Sequence, residues 1–240
     1  MALPKVAVPT YSLKLPSDGR TLEFRPFLVK EEKILLLGIK QASEMMEMSK
    51  AQSHLIKTFK TILKECILTK GYDLNEAPVF DLEYIFINIR AKSVGEIVEP
   101  TYTCECGTPV EVRVNLTEIE VTQPKNKKMT VDLGGGVGIK MKYPKADIME
   151  KLVYDTEEVD KIFSILIHCI DYIFDNETTF KASEYQESEL LTFLEELPKD
   201  SFQAIQDFFE DMPHTEYEAE ADCPNGKETF TIRQLSDFFV

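Results

Sequence analysis

The sequence predicts an α+β protein, mainly helical, that carries small antiparallel β-hairpins. Three observations support that class. Alternating apolar and polar runs closed by turn-forming residues recur at 10–29, 100–114 and 215–232. Longer stretches with apolar residues at helical spacing lie between them, at 51–70, 156–176 and 201–212. Two of the hairpin signals, PTYTCECGTPVEVRV and TEYEAEADCPNGKETFTI, carry cysteine at the turn. Residues 100–121 and 215–239 are therefore expected to pair as halves of one degenerate zinc-ribbon-like unit, with a helical region looped out between them.

Taken in order, YSLKL and TLEFRPFLV read as two strands joined by Pro16-Ser17-Asp18-Gly19. Glu31 and Glu32 open a helix, their charges favoured near its N-terminus, and the pattern runs to Lys50. Residues 51–70 form a second helix, with Leu55, Ile56, Phe59, Ile62, Leu63, Cys66 and Ile67 on one face and Gly71 as its stop. Residues 81–95 form a third, with Asp81 as N-cap. After the first cysteine hairpin, KMTVDLGGGVGIKMKYP reads as two strands around a glycine tip, and 145–152 as a short helix. The strongest helical pattern is 156–176, capped by Thr156, with Val159, Ile162, Phe163, Leu166, Ile167, Ile170, Ile173 and Phe174 on its apolar face. Helices at 187–198 and 201–212 follow, then the second cysteine hairpin with its Pro224-Asn225-Gly226 turn and a closing helix, RQLSDFF. The boundaries implied are a hairpin arm at 1–29, a helical region at 30–99, a hairpin region at 100–143, an acidic helical region at 144–212 and a C-terminal unit at 213–240 that packs on 100–121.

Charge is unevenly spread. Residues 1–154 hold 20 acids and 22 bases, whereas 155–222 hold 20 acids against Lys161, Lys181 and Lys199. Such an acidic second half argues against nucleic acid, whose phosphates it would repel. The longest apolar segment, 162–174, is broken by His168 and Asp171 and is too short to span a bilayer, so no membrane partner is expected. Five cysteines, two of them in apolar helical patterns, fit a reduced compartment.

The candidate metal ligands are Cys104, Cys106 and Cys223, since structural zinc wants four thiolate or imidazole ligands in a tetrahedron. His214 would have to supply the fourth. C-x-C-G is one residue short of a zinc knuckle, and C-P-N-G offers a single cysteine, so a hairpin that keeps its shape without metal fits the spacing better. No cofactor is otherwise expected. Leu133-Gly134-Gly135-Gly136-Val137-Gly138 lacks the following helix or Gly-Lys-Ser/Thr of a phosphate loop. His168 and Cys169 are consecutive and point apart on a helix, and no ordered nucleophile, base and acid set appears, so no enzyme is inferred. Met45, Met46 and Met48 offer an adaptable edge for a partner or for the core margin.

At the two ends the residues carry a family likeness. LPSDGRTLEFRPFLVKEEKILL at 15–36, the central cysteine hairpin and LPKDSFQAIQDFFEDMPHTEYEAEADCPNGKETFTIRQLSDFF at 197–239 resemble the baseplate hub assembly proteins of T-even-like, contractile-tailed bacteriophages. The first signature falls on Phe24, Arg25, Pro26, Phe27, Lys30, Glu31, Glu32 and Lys33. The second falls on Phe208, Phe209, Met212, Pro213, Cys223, Asp237, Phe238 and Phe239. The resemblance implies a non-enzymatic part in building the tail baseplate, as assembly factor or minor hub component. It implies phage hub or tail proteins as partners and a place in the virion tail or in the host cytoplasm during assembly; a homo-oligomer is a further option that the sequence leaves open. The contact residues expected are Phe24, Arg25, Pro26, Phe27, Glu31, Glu32, Lys33, Phe238 and Phe239. The alternative, of a different class, is a zinc-ribbon adaptor binding nucleic acid or protein.

Overall fold

The computed structural model describes residues 6–125, 128–148 and 158–233. Helix α3 (Val79–Ser93) is the element around which the rest is packed. Its sequence, VFDLEYIFINIRAKS, is apolar on nearly every side, the mark of a helix buried all round. Ile85, Phe86 and Ile89 face the first core, Phe80 reaches toward the second through Tyr143, and Ile87 and Ala91 face the third.

The first core is built from β1 (Tyr11–Lys14), β2 (Thr21–Phe24), α1 (Val29–Ser43) and α2 (Met48–Cys66). The β1–β2 hairpin is antiparallel, with Leu13 opposite Leu22 on its buried face. The turn at Pro16–Gly19 is as expected, and Gly19 takes a positive φ. Ser17 is tied to the middle of the molecule: its N–H and Oγ donate to the Asp81 carboxylate at 3.1 and 2.5 Å. Asp81 is therefore not the α3 N-cap; that position is Pro78, and the carboxylate holds the hairpin turn instead. Helix α1 stops at Ser43, short of the predicted Lys50, and α2 begins at Met48. The two helices approach closely at Gly38, where an added Cβ would lie 2.5 Å from Thr58 Cγ2.

The second core contains the largest correction. The predicted helix at 156–176 is α4 (Glu158–Cys169) followed without a loop by a strand, Ile170–Phe174; its expected Thr156 cap lies outside the described residues. In chain order the strands here are β8 (Thr130–Gly134), β9 (Val137–Met141), β10 (Ile170–Phe174) and β11 (Thr179–Lys181), arranged as an antiparallel sheet β11-β10-β9-β8. Ile170 pairs with Met141 and Ile173 with Ile139, so β10 lies in the middle of a sheet and draws hydrogen bonds from both neighbours. The segment IDYIF is β-branched and aromatic, which suits a strand, yet its apolar spacing also continues the helix; partner strands decide the matter. Ile162, expected inward, is half exposed. Helices α5 (Glu187–Glu195) and α6 (Lys199–Glu210) cover the sheet, and Ser201 Oγ donates to the Leu133 carbonyl at 2.8 Å. With β10 and β11 added, strands take a larger share than the mainly helical expectation, and the molecule is an α+β mixture.

The third core lies on the other flank of α3. Short strands β3 (Ile97–Val98) and β6 (Val114–Asn115) pair, as do β4 (Thr101–Thr103) and β5 (Pro109–Glu111). Strand β7 (Glu120–Val121) pairs with β12 (Thr215–Cys223), which pairs in turn with β13 (Gly226–Ile232). Cys223 stands opposite Gly226, so Pro224-Asn225 is a two-residue loop, as its turn chemistry predicts. Tyr102 and Phe230 pack across the two hairpins in a tilted pair with ring centroids 5.6 Å apart. The two cysteine-bearing fingers, separated by more than a hundred residues, do meet. The start of a helix is seen at 146–148; the rest of that prediction and the closing helix RQLSDFF lie outside the described residues.

Candidate functional site

The segment Phe24–Lys33 was expected to face a partner. Much of it faces the core. Phe24 and Pro26 are buried, and Phe27 packs on Phe86 at 5.5 Å. Arg25 Nη2 lies 2.8 Å from the fully buried Glu31 carboxylate, and Arg25 Nη1 also donates to the Pro26 carbonyl at 2.9 Å. The Leu28 N–H donates to Glu31 at 2.7 Å and closes the α1 N-terminus. Burial opposes charge on Glu31, but the Arg25 hydrogen bond, the Leu28 N–H and Lys30 outweigh it and hold the carboxyl at about 2. These groups are a polar pin between β2, α1 and α2. Glu32 and Lys33 point outward, together with an apolar set that the signature did not include: Val29, Ile34, Leu36 and Leu37 on α1, and Met46 just beyond it. Leu36 is 62% exposed and Met46 wholly so. These leucines are exposed on a helix that buries Leu35, Gly38 and Ala42 on its other side, so α1 keeps apolar surface in water. Phe238 and Phe239 lie outside the described residues.

The cysteines form a second candidate site. The Cys104 Sγ, the Cys223 Sγ and a Glu228 carboxylate oxygen all lie within 4.8 Å of one another. Cys223 Sγ is 3.3 Å from Glu228 Oε2, and the same carboxylate accepts from the Glu105 N–H at 3.2 Å, 123 residues away in sequence. Cys106 hydrogen-bonds Cys104, which holds the Cys104 thiol below its usual value. Partial burial, together with the adjoining Cys104 and Glu228, pushes the Cys223 thiol up to about 12. The knuckle is tight: Gly107 N–H donates to the Cys104 carbonyl at 2.8 Å, and Gly107 takes a φ of 82° that a side chain would resist.

His214, the expected fourth ligand, is not there. It stands at the far end of β12 from Cys223, roughly 30 Å away by strand rise. Its ring lies beside Thr122, Met212 and Glu216 instead. The residue that does reach the thiols, Glu228, was missed although a signal was present. Residues 228, 230 and 232 alternate onto one face of β13, so Glu228 shares the inward side with Phe230 and Ile232. An acid at an inward position of a strand calls for a partner.

The remaining cysteines are structural. Cys66 and Cys169 are buried in the first and second cores, where loss of solvent raises both thiols, to about 11 and about 12. The glycine tip at 134–136 is a hairpin end between β8 and β9, with no helix following it. No described helix is long and apolar enough to cross a membrane.

Comparison with known proteins agrees with the motifs at both ends. The chain is 28% identical over 184 residues to the baseplate hub assembly protein gp26 of Enterobacteria phage T4, covering 75% of this chain and 79% of that protein. No solved structure matches. A family model described as "T4 bacteriophage base plate protein" matches residues 8–240, and the chain belongs to the T4 bacteriophage base plate protein family.

Proposed function

We propose that this protein takes part in building the central hub of a contractile-tail baseplate, and that it does so by protein contact rather than by chemistry on a small molecule. The observation that carries this reading is the family match over 8–240 together with the likeness to a hub assembly protein. The exposed apolar face of α1 supports it, because Val29, Leu36, Leu37 and Met46 leave apolar surface in water beside the charged Glu32 and Lys33, and apolar surface rimmed by polar residues marks protein interaction sites. The protein then resides in the virion baseplate, or in the host cytoplasm while the baseplate is assembled.

Binding of nucleic acid finds no support in the second cysteine hairpin. Exposed Glu218, Glu220 and Asp222 form an acidic row along the outer face of β12, which would repel a phosphate backbone.

The test is co-expression with the hub and tail proteins of the same phage, followed by affinity capture. One or more hub subunits should co-purify, and the paired substitution Leu36→Asp, Leu37→Asp should reduce recovery at least about tenfold while the fold is kept. Capture of no baseplate subunit, from a chain shown to be folded, would count decisively against the reading.

A further inference from the structure

We propose that Cys104, Cys106, Cys223 and Glu228 hold one zinc ion, which clips the β4–β5 knuckle to the tip of the β12–β13 hairpin. Three of these residues already converge within 4.8 Å, a spacing close to that between ligand atoms of a tetrahedral zinc with bonds of about 2.0–2.3 Å. Cys106 is exposed, its Sγ lies 3.4 Å from Thr108 Oγ1, and it lines the same cavity as Cys223 and Glu228, from which its thiol would complete the set. A small cavity of about 160 Å³ opens beside the cluster, lined by Glu105, Cys106, Cys223, Lys227 and Glu228 among others. It has room for an ion, and Lys227 is placed to offset part of the negative charge that three thiolates and one carboxylate leave around a divalent cation.

The donor set selects the metal. Thiolates favour soft and borderline ions, while a carboxylate in the same shell suits zinc and disfavours an iron–sulfur cluster, whose protein ligands are cysteine thiolates or, in some, histidines. Exclusion of bulk solvent on one side comes from buried Cys104 and from the Tyr102–Phe230 contact. The Glu105 N–H bond to Glu228 orients that carboxylate as a second-layer partner would. Zinc here acts on the fold: it closes a loop of more than a hundred residues, the span for which a cross-link removes most unfolded-state freedom. Binding releases the thiol protons and so strengthens as pH rises.

The experiment uses the full chain, purified without a metal-affinity tag under reductant, stripped with a chelator and titrated with zinc, and in parallel with cobalt(II). One equivalent should bind, with sulfur-to-cobalt charge-transfer absorption. Cys104→Ser, Cys223→Ser and Glu228→Gln should each lose more than about 100-fold in affinity, which for Glu228→Gln exceeds the roughly 10–100-fold that an outer partner contributes. Glu228→Gln keeps the size of the side chain, so it remains informative if a cysteine variant fails to fold. Zinc should also raise the denaturation midpoint of the parent and not that of Cys223→Ser, and His214→Ala should bind as the parent does. Uptake well below one equivalent, parent-like affinity in Glu228→Gln or Cys223→Ser, or a Cys104–Cys223 disulfide in anaerobically isolated protein would overturn the proposal.

Discussion

Glu31 is fully buried, and each of its oxygens has a donor. Oε1 lies 2.8 Å from Arg25 Nη2, and Oε2 accepts from the Leu28 N–H at 2.7 Å. Taking away one member of such a pair leaves the other charged and without its counterion in the interior, which costs about 3–5 kcal/mol. Glu31→Gln should therefore lower stability by about 3 kcal/mol in urea denaturation, and Arg25→Met with Glu31→Leu should lose less than the two single changes added together. The pH dependence has a definite sign. Because the folded carboxyl is held at about 2, below an ordinary value near 4.5, its contribution is present above about pH 4.5 and is lost as pH falls toward 2. A Glu31→Gln variant whose stability matches the parent at pH 7 would show that the pin is ornamental. Its residues also explain why the FRPF…KEEK signature is a fold signature in large part: Phe24, Arg25, Pro26 and Glu31 are held inside, and only its outward neighbours are free to touch another protein.

The α1–α2 pair is set by one position. Gly38 is buried against Thr58, and a Cβ there would meet Thr58 Cγ2 at 2.5 Å and Oγ1 at 2.6 Å. Alanine gains about 1 kcal/mol of helix propensity, but overpacking of this kind costs about 1–3 kcal/mol. Gly38→Ala should thus be destabilising by about 1 kcal/mol, and the same change in a Thr58→Ala background should become stabilising. Denaturation midpoints of the four proteins decide it; a stabilising Gly38→Ala on its own would mean the helices can part without loss. At the same scale, elements defined by their own turns were legible in the sequence. The hairpins at Pro16–Gly19, Gly134–Gly136 and Pro224–Asn225 formed where their turn residues predicted, since a positive φ or a fixed φ is a local requirement. Ile170–Phe174 was not legible, because Ile170, Ile173 and Phe174 at the end of a helical pattern satisfy the helical period while the β-branched and aromatic segment also suits a strand, until β9 and β11 supply hydrogen bonds.

Across the whole molecule, α3 joins three cores that come from distant parts of the chain. Its Glu83 accepts from Thr215 Oγ1 at 3.3 Å, across 132 residues. Burial pushes that carboxyl up to about 7, with the Thr215 hydrogen bond and nearby His214 pulling the other way. The folded protein therefore holds this proton more tightly than the unfolded chain, and stability declines as pH rises from about 4.5 through 7, by about 3 kcal/mol at most. Glu83→Gln keeps an acceptor for Thr215 and never ionises. It should be more stable than the parent at pH 8 and nearly equal at pH 5, measured by urea midpoints. An equal gain at both pH values would mean that Glu83 is not protonated in the fold.

By itself the sequence determined the α+β class, the positions of the turn-closed hairpins, most helix cores, the acidic second half and the family likeness, all of which depend on residues near one another in the chain. Tertiary structure alone decided that Ile170–Phe174 is a strand, that Asp81 serves a hairpin turn, that the FRPF segment points inward, and that Glu228 rather than His214 stands beside Cys104 and Cys223. The physical reason is range. Turn dihedrals and apolar periodicity act over a few residues, whereas a buried charge, a central strand and a cluster of ligands exist only where packing brings together segments separated by tens to more than a hundred residues.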